Sequence, residues 1–346
     1  MRANEADLRI PANRLAAAAR ALQPTLMRLI ALRADQISRA LEAEHGIVPW
    51  DREQLIGQLQ RQLMELADAR FRVRGGPIVH VRERRSQPLE AIPRAWRWLR
   101  EGRRVYVDAE PGACSQTLVL LAQMGEVLGF HVLMTSRDAT SPPDGAVDGG
   151  VALAPRRLTL IASQADEELA AYVLARACLR RSGLDPRAVH VAIVTGDGRT
   201  LGRILRRLWF SVRFSEAGDH GAFAGPVSQD VARGLEEAMA RLEGRSDVAC
   251  WVPLRRLEGT SGMRGCLMAP TLWATTVGLD RGSVEQVMAC FPEVGPALLV
   301  LRERDASSAS RLLSDLVGAG YRWTLIGPRT APETVGLREP PLSVFD

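Results

Sequence analysis

The sequence contains no lysine, so all 45 basic residues of the 346-residue chain are arginine. This absence excludes Schiff-base chemistry and every other reaction that needs a lysine amine. The arginines are interleaved with 40 acidic residues and form no long basic run. The charge pattern therefore predicts that nucleic acid is not a partner.

Cysteine is scarce and is not arranged as a metal or disulfide framework. Five cysteines occur without CxxC spacing, at Cys114, Cys178, Cys250, Cys266 and Cys290. Their odd number and scatter predict neither structural zinc nor disulfides. No run approaches the roughly 20 apolar residues that cross a bilayer, and the first residues lack a signal-peptide pattern. We therefore expect a cytoplasmic protein that binds neither a metal nor a membrane.

The residues that are present favour a folded protein with a large core. Hydrophobic residues make up 46% of the chain and charged residues 25%, the proportions of a globular protein. The length exceeds that of most single domains. The sequence thus predicts one large domain or two closely packed ones.

Short apolar runs alternate with amphipathic stretches over most of the chain. We predict strands at 105–107, 130–134, 158–162, 189–194, 249–252, 297–301 and 323–326. We predict helices at 115–128, 166–181 and 201–208, around 235–239, after 283 and at 312–317. Such alternation is typical of parallel sheets covered by helices, so the predicted class is α/β.

The N-terminal stretch is predicted to be helical. Asn13 is a suitable cap for a run that ends near Leu22, and apolar residues recur at helical spacing after Pro24. Pro24 therefore predicts a helical hairpin. Gly46 ends its second helix, and Pro49 begins a third.

Several phrases resemble motifs of one superfamily and follow one another in the same order. Residues 44–50 (EHGIVPW) resemble "ETGKP", 102–107 (GRRVYV) resemble "GNAVVLK", and 225–228 (GPVS) resemble "GPLVS". Residues 294–296 (VGP) and 320–325 (GYRWTL) resemble "FGP" and "GYGLTLG". These are motifs of the aldehyde dehydrogenase superfamily. The last is closest to the glutamate-semialdehyde (pyrroline-5-carboxylate) dehydrogenase branch of proline-catabolic enzymes.

The resemblance covers residues 13 to about 330 and implies an architecture. It implies two Rossmann-like parallel-sheet halves behind an N-terminal helical hairpin, shortened relative to the family. Residues 1–185 correspond to the N-terminal helices and a degenerate cofactor-binding-like domain. Residues 186–330 correspond to a degenerate catalytic-like domain, and 331–346 form a Pro-rich tail.

The resemblance also implies a catalytic apparatus, and this chain departs from it. Family members use a cysteine nucleophile in "GQxC", an oxyanion-binding asparagine in "NFP" and a glutamate that activates water. The nucleophile's position falls on Pro186, which offers neither a nucleophile nor an amide hydrogen, and the asparagine's on Ser86. The segment 135–165 is too short to supply the glutamate. We therefore expect no catalytic residues.

The positions that hold the NAD(P) cofactor in the family are also changed. The lysine of "VLKP" falls on Asp108, which replaces a cation by an anion that repels phosphate. The ribose-binding glutamate of "ExFGP" falls on Pro292, although Glu293 is adjacent. We therefore expect no cofactor.

Other candidate residues have plain structural interpretations. Cys178 is expected to be a buried core thiol, whereas Cys114 at a helix start could have a lowered pKa. The turn 196–198 (GDG) lacks the full phosphate-binding pattern. Four histidines have no partners at metal-ligand spacing: His80, His131, His190 and His220.

These features predict a non-catalytic aldehyde-dehydrogenase-like protein with a structural or partner-binding role, in proline or glutamate-semialdehyde metabolism. An active dehydrogenase or a proline-oxidising enzyme is the expected partner. One alternative is a divergent NAD(P)-dependent aldehyde or semialdehyde oxidoreductase that uses a relocated cysteine. Another keeps only a small-ligand pocket with a sensing role.

Overall fold

The computed structural model divides the chain into two compact units, Met1–Ala152 and Leu153–Asp346. It describes residues 11–85, 87–128, 132–134, 147–148, 156–196, 198–215, 218–219, 221–258 and 265–327, with the backbone alone at 132–134 and 147–148. The expected boundary after residue 185 therefore lies inside the second unit. The reason is strand pairing, because the strand at 157–161 hydrogen-bonds within the second unit's sheet.

The first unit contains five helices among its described residues. They are α1 (Ala12–Leu32), α2 (Ala34–His45), α3 (Pro49–Asp68), α4 (Ala91–Arg100) and α5 (Ser115–Leu128). The predicted break at Pro24 is wrong, because α1 continues through it. Leu15, Ala19, Leu26 and Ile30 bury one continuous face of α1 on both sides of Pro24, and this burial outweighs the lost hydrogen bond. Gly46 ends α2 with a φ of 66°, as predicted.

The first unit's sheet is parallel throughout its described pairs. Its strands are β1 (Val79–Glu83), β2 (Val105–Ala109), β3 (Val132–Met134) and β4 (Val147–Asp148), in the order β3-β2-β1-β4. One apolar core joins this sheet to the helices and includes Trp96 of α4. Because β1 is central, the side chains that follow it stand at the middle of the sheet's carboxyl edge.

The second unit contains five further α-helices among its described residues. They are α6 (Glu167–Cys178), α7 (Arg199–Ser211), α8 (Gln229–Glu243), α9 (Arg281–Cys290) and α10 (Ala306–Gly318). A carboxylate or hydroxyl side chain caps four of them, from Asp166, Ser228, Asp280 and Asp305. Such caps satisfy amides that have no partner within the helix.

The second unit's main sheet has six strands in the order β12-β5-β6-β11-β10-β7. The strands are β5 (Arg157–Ile161), β6 (Val189–Thr195), β7 (Val248–Val252), β10 (Thr271–Thr275), β11 (Ala297–Glu303) and β12 (Arg322–Ile326). All its pairs are parallel except β7 with β10. A separate hairpin joins β8 (Arg255–Leu257) to β9 (Leu267–Ala269). The α/β class and the two parallel-sheet halves are thus confirmed.

Helices cover both faces of this six-stranded sheet. One core contains Leu158, Val191 and Leu299 with apolar residues of α8, α9 and α10. A second core contains Ile161, Ala192 and Val300 with apolar residues of α6 and α7. Within the described residues, no helix is both long and apolar enough to cross a membrane.

Candidate functional site

A tight turn before β6 contacts two of the sequence motifs, GPVS and VGP. Residues Arg180–Gly183 form one turn of 3-10 helix after α6, in which Arg181, Ser182 and Gly183 have φ values of 49°, 55° and 75°. A left-handed conformation costs a non-glycine residue about 1–2 kcal/mol. Two such residues in succession are held only where the surrounding contacts compensate.

Contacts with two glycine-containing loops provide that compensation. The Ser182 hydroxyl donates to the Gly225 carbonyl oxygen over 2.7 Å and accepts from the Gly225 amide over 3.0 Å. The Gly295 amide donates to the Gly183 carbonyl oxygen over 2.9 Å. The GPVS and VGP motifs therefore converge on the segment that directly precedes the turn of Pro186.

Pro186 lies in a β-turn between this segment and β6. The Ala188 amide donates to the Asp185 carbonyl oxygen over 2.8 Å, which closes the turn with Pro186 at its second position. The Asp185 carboxylate also accepts from the Arg187 amide over 2.7 Å. Proline at this position fixes the turn's backbone and offers no nucleophile. The local sequence thus accounts for a turn, not for covalent chemistry.

Cys178 is the cysteine nearest to this turn in the sequence. Cys178 is fully buried, and its thiol lies 3.4 Å from the Ala297 carbonyl oxygen. Burial raises the pKa of the Cys178 thiol well above its usual range. Cys178 is therefore the predicted core thiol.

Cys114 has no thiolate-stabilising environment, although it directly precedes α5 as predicted. Burial raises the pKa of its thiol to about 11, while an amide hydrogen bond from Thr117 opposes the rise. The dipole of α5 therefore does not overcome desolvation. Cys250 is exposed on β7, and partial burial together with Glu243 raises the pKa of its thiol.

Cys114 also belongs to a group of potential metal ligands. One ligand atom each from Glu44, His45 and Cys114 lie within 4.8 Å of one another. The Glu44 carboxylate accepts from the amide of Ser115 over 2.8 Å and from its hydroxyl. These bonds satisfy the start of α5, so capping accounts for the position of Glu44 without an ion.

Asp108, the residue that the resemblance aligns with the family's cofactor-binding lysine, is held by two neighbours on β1. Arg82 donates from two nitrogens to the Asp108 carboxylate over 2.6 and 3.0 Å, and His80 Nε2 lies 3.0 Å from it. Burial opposes ionisation, but the hydrogen bonds from Arg82 and His80 outweigh it and lower the pKa of Asp108. This site presents an ionised carboxylate that is already paired.

Glu83 ends β1 and is completely buried, a feature that the sequence analysis missed. Its carboxylate accepts from the Leu89 amide over 2.7 Å, the Ala91 amide over 3.0 Å and the Thr117 hydroxyl over 2.8 Å. Burial raises the pKa of Glu83 to about 7 against the lowering effect of these bonds. Glu83 therefore anchors the loop after β1 to the start of α4 and to α5. Ser86, in that loop, lies outside the described residues.

Glu293 is exposed and forms an ion pair with Arg156, whereas Pro292 is partly buried after α9. His190 is a partly buried histidine of β6, and its Nδ1 lies 3.1 Å from the Ala297 carbonyl oxygen. The glycines of the GDG turn have φ values of 86° and 60°, while Asp197, His131 and His220 lie outside the described residues.

The fold defined by these elements is that of the aldehyde dehydrogenases. The chain is similar to methylmalonate-semialdehyde dehydrogenase from Oceanimonas doudoroffii, with a TM-score of 0.69 and 16% identity over 91% of this chain and 74% of that one. It is similar to an NAD-dependent benzaldehyde dehydrogenase from Corynebacterium glutamicum, with a TM-score of 0.68 and 16% identity over 92% of this chain and 77% of that one.

A third similar structure is Proline Utilization A from Corynebacterium freiburgense. It has a TM-score of 0.67 and 13% identity, and the match covers 92% of this chain and 38% of that one. No protein-family model matches the sequence, and no curated protein matches it. At these identities the similarity establishes the aldehyde dehydrogenase fold and leaves activity to be argued from the residues.

Proposed function

We propose that this chain is a non-catalytic protein of the aldehyde dehydrogenase fold that acts as a structural or partner-binding subunit and uses no NAD(P). The observation that carries the proposal is the closed turn Asp185–Ala188. It contains Pro186, the residue that the motif order aligns with the family's nucleophile. A closed turn with a proline side chain can neither attack an aldehyde nor donate a backbone hydrogen bond to an oxyanion.

The environments of four of the five cysteines argue against a dehydrogenase with a relocated nucleophile. The nucleophile in such chemistry is a thiolate, which needs a lowered pKa or an adjacent base. The pKa is raised at Cys114, Cys178 and Cys250, and Cys266 is buried. These environments support the non-catalytic proposal over the enzymatic alternative.

An exposed apolar pair on α6 supports the partner-binding part. Leu169 and Tyr172 are 50% and 55% exposed and, three residues apart, lie on the same side of the helix. Large apolar side chains grouped on a surface are typical of protein interfaces. The candidate partner is an active dehydrogenase or a proline-oxidising enzyme, as the resemblance suggests, in the cytoplasm.

The catalytic part is tested by following NAD(P)H formation with glutamate semialdehyde and a panel of simple aldehydes. We expect no rate above background, because losing a nucleophile and base together costs on the order of a millionfold. Turnover that survives purification and disappears in Cys114→Ser, Cys178→Ser or Cys250→Ser would establish the enzymatic alternative instead.

The partner part is tested by co-expression with the active aldehyde dehydrogenase and the proline-oxidising enzyme of the same host. We expect co-elution with one of them in size-exclusion chromatography. The substitution Leu169→Glu with Tyr172→Glu should abolish co-elution, whereas Val127→Glu, at an exposed site in the other unit, should not. Elution of the wild-type chain by itself in both co-expressions would contradict the proposal.

A further inference from the structure

Three arginines lie together at the amino-terminal edge of three adjacent strands. Arg322 begins β12 and is the direct register partner of Arg157, which begins β5. Arg157 is in turn the partner of Val189, which begins β6, and Arg187 stands two residues before Val189. The order β12-β5-β6 therefore gathers three guanidinium groups at one edge of the sheet.

Arg157 and Arg322 extend from the same face of the sheet. The hydroxyls of Thr159 and Thr324, two residues further along each strand, lie 3.0 Å apart. Because side chains alternate between faces, residues two apart share a face. Arg157 and Arg322 are thus on the face of this hydroxyl pair. That face is the one covered by α6 and α7, because Ile161 and Ile326 contribute to their core.

The three side chains have no ion-pair partner among the described residues. The ion pairs found in the described part of the second unit involve other arginines, such as Arg156 with Glu293. The Asp185 carboxylate accepts from the backbone amide of Arg187, not from its guanidinium group. Burial, followed by the charges of Arg187 and Arg322, lowers the pKa of Arg157, and the charge of Asp185 opposes this only in part. The cluster therefore carries excess positive charge at a partly buried position.

Such an arrangement opposes folding unless an anion completes it. Like charges on directly paired strand positions are destabilising, and guanidinium groups stay protonated in proteins. A tetrahedral anion with two or more charges has enough oxygens to accept hydrogen bonds from several guanidinium groups. A carboxylate, in contrast, is satisfied by two parallel hydrogen bonds from one guanidinium group.

We propose that Arg157, Arg187 and Arg322 bind a small phosphate-class anion. The site lies at the amino-terminal edge of the sheet, beside the turn that contains Pro186. This inference is independent of the proposed partner, because anion binding is measured on the isolated chain.

The test is calorimetric titration of the full chain with inorganic pyrophosphate, at an ionic strength held constant with sodium chloride. We expect saturable binding of one pyrophosphate per chain. Arg157→Gln and Arg322→Gln should each weaken it by about tenfold or more, as expected for a lost charge-assisted bond. Arg281→Gln is the matched control, because Arg281 is exposed and paired with Glu285; it should bind like the wild type.

Thermal unfolding provides a second readout that a purely structural arginine would not give. Without pyrophosphate, Arg157→Gln and Arg322→Gln should melt at a higher temperature than the wild type, because repulsion is relieved. At the same pyrophosphate concentration, the wild type should gain more stability than either variant. Absence of saturable binding, or equal binding by the Arg322→Gln and Arg281→Gln proteins, would overturn the proposal. Arg322 is exposed, so its substitution leaves the core intact.

Discussion

Gly183 and Gly295 are packed backbone to backbone in the second unit. The Gly295 amide donates to the Gly183 carbonyl oxygen over 2.9 Å, and a Cβ atom on Gly183 would overlap the Gly295 carbonyl group. Gly183 also has a φ of 75°, a conformation that side chains disfavour. This contact joins the segment before β6 to the loop before β11.

We expect Gly183→Ala to unfold or severely destabilise the second unit. The methyl group would collide with backbone that cannot rotate away, and the left-handed conformation adds about 1–2 kcal/mol. Gly234→Ala is the matched control, because Gly234 lies in α8 and no atom lies within 4 Å of the position that its methyl group would take. That change should stabilise the chain by up to about 1 kcal/mol. Equal melting temperatures for the two variants would disprove the contact.

Glu83 should make the first unit less stable as pH rises towards 7. Its pKa is about 7 in the folded chain, against 4.5 as the ordinary value. Between these values the folded state binds more protons, so stability is full below pH 4.5 and is lost as pH rises through 7. The shift corresponds to a free energy on the order of 3 kcal/mol.

Hydrogen exchange of the β1 and β2 amides, measured from pH 5 to pH 8 and corrected for intrinsic rates, checks this expectation. Glu83→Gln should flatten the decline in protection, whereas Glu126→Gln, at an exposed site on α5, should keep it. The Glu83→Gln protein should also be less protected throughout, because the new amide group faces a backbone donor. A wild-type protection that rises across this range would contradict the prediction.

His190 should give the second unit the opposite pH dependence. Its Nδ1 must donate to Ala297, since a carbonyl oxygen only accepts. Burial lowers the pKa of His190 below its ordinary value of 6.5. Stability from the neutral imidazole is therefore present above pH 6.5 and is lost as pH falls through the folded pKa.

His190→Asn preserves the donor and removes the titration. Protection of the β6 and β11 amides should therefore fall on acidification in the wild type and fall less in this variant. An identical pH profile for both proteins would show that His190 does not titrate on unfolding.

NAD(P) should bind weakly or not at all. Asp108, which the resemblance aligns with the family's cofactor-binding lysine, is ionised and paired with Arg82. The resemblance aligns Pro292 with the ribose-binding glutamate. Calorimetric titration should give no micromolar dissociation constant, which would correspond to roughly 8 kcal/mol. An active aldehyde dehydrogenase titrated in parallel is the control, and micromolar binding by this chain would refute the claim.

Thiol reactivity should single out Cys250. It is the exposed cysteine, whereas Cys114, Cys178 and Cys266 are buried and Cys290 is partly buried. A maleimide added to the folded chain should modify Cys250 first, and Cys250→Ser should remove that fast phase. Fast labelling of Cys114 would instead indicate an accessible thiol at the start of α5.

The periodic elements of the fold could be predicted from the sequence, and the strands with polar residues could not. Helix α5 and strand β2 follow from uninterrupted apolar patterns. β1 escapes such prediction because its VHVRE sequence mixes charge with short apolar residues, although Val79, Val81 and Glu83 are buried. β10, with the sequence TLWAT, is buried at every residue and shows no alternation. Tertiary packing decides such strands.

The candidate site also contains residues that a sequence pattern indicates and residues that it does not. The motif order leads to the expectations for Pro186 and Asp108, and these stay predictions. Glu83 and the arginine cluster could not, because each depends on contacts between residues distant in sequence: Glu83 with Thr117, and Arg157 with Arg322. Strand order brings these pairs together, and no local pattern encodes it.

The left-handed segment at Arg181–Gly183 serves the fold independently of any catalytic role. Whatever chemistry a chain of this fold performs, the glycine that meets Gly295 is required for folding, because a Cβ atom there would overlap the backbone. Diverged chains of this fold should therefore be traceable by the spacing of their irreplaceable glycines after their catalytic residues have gone.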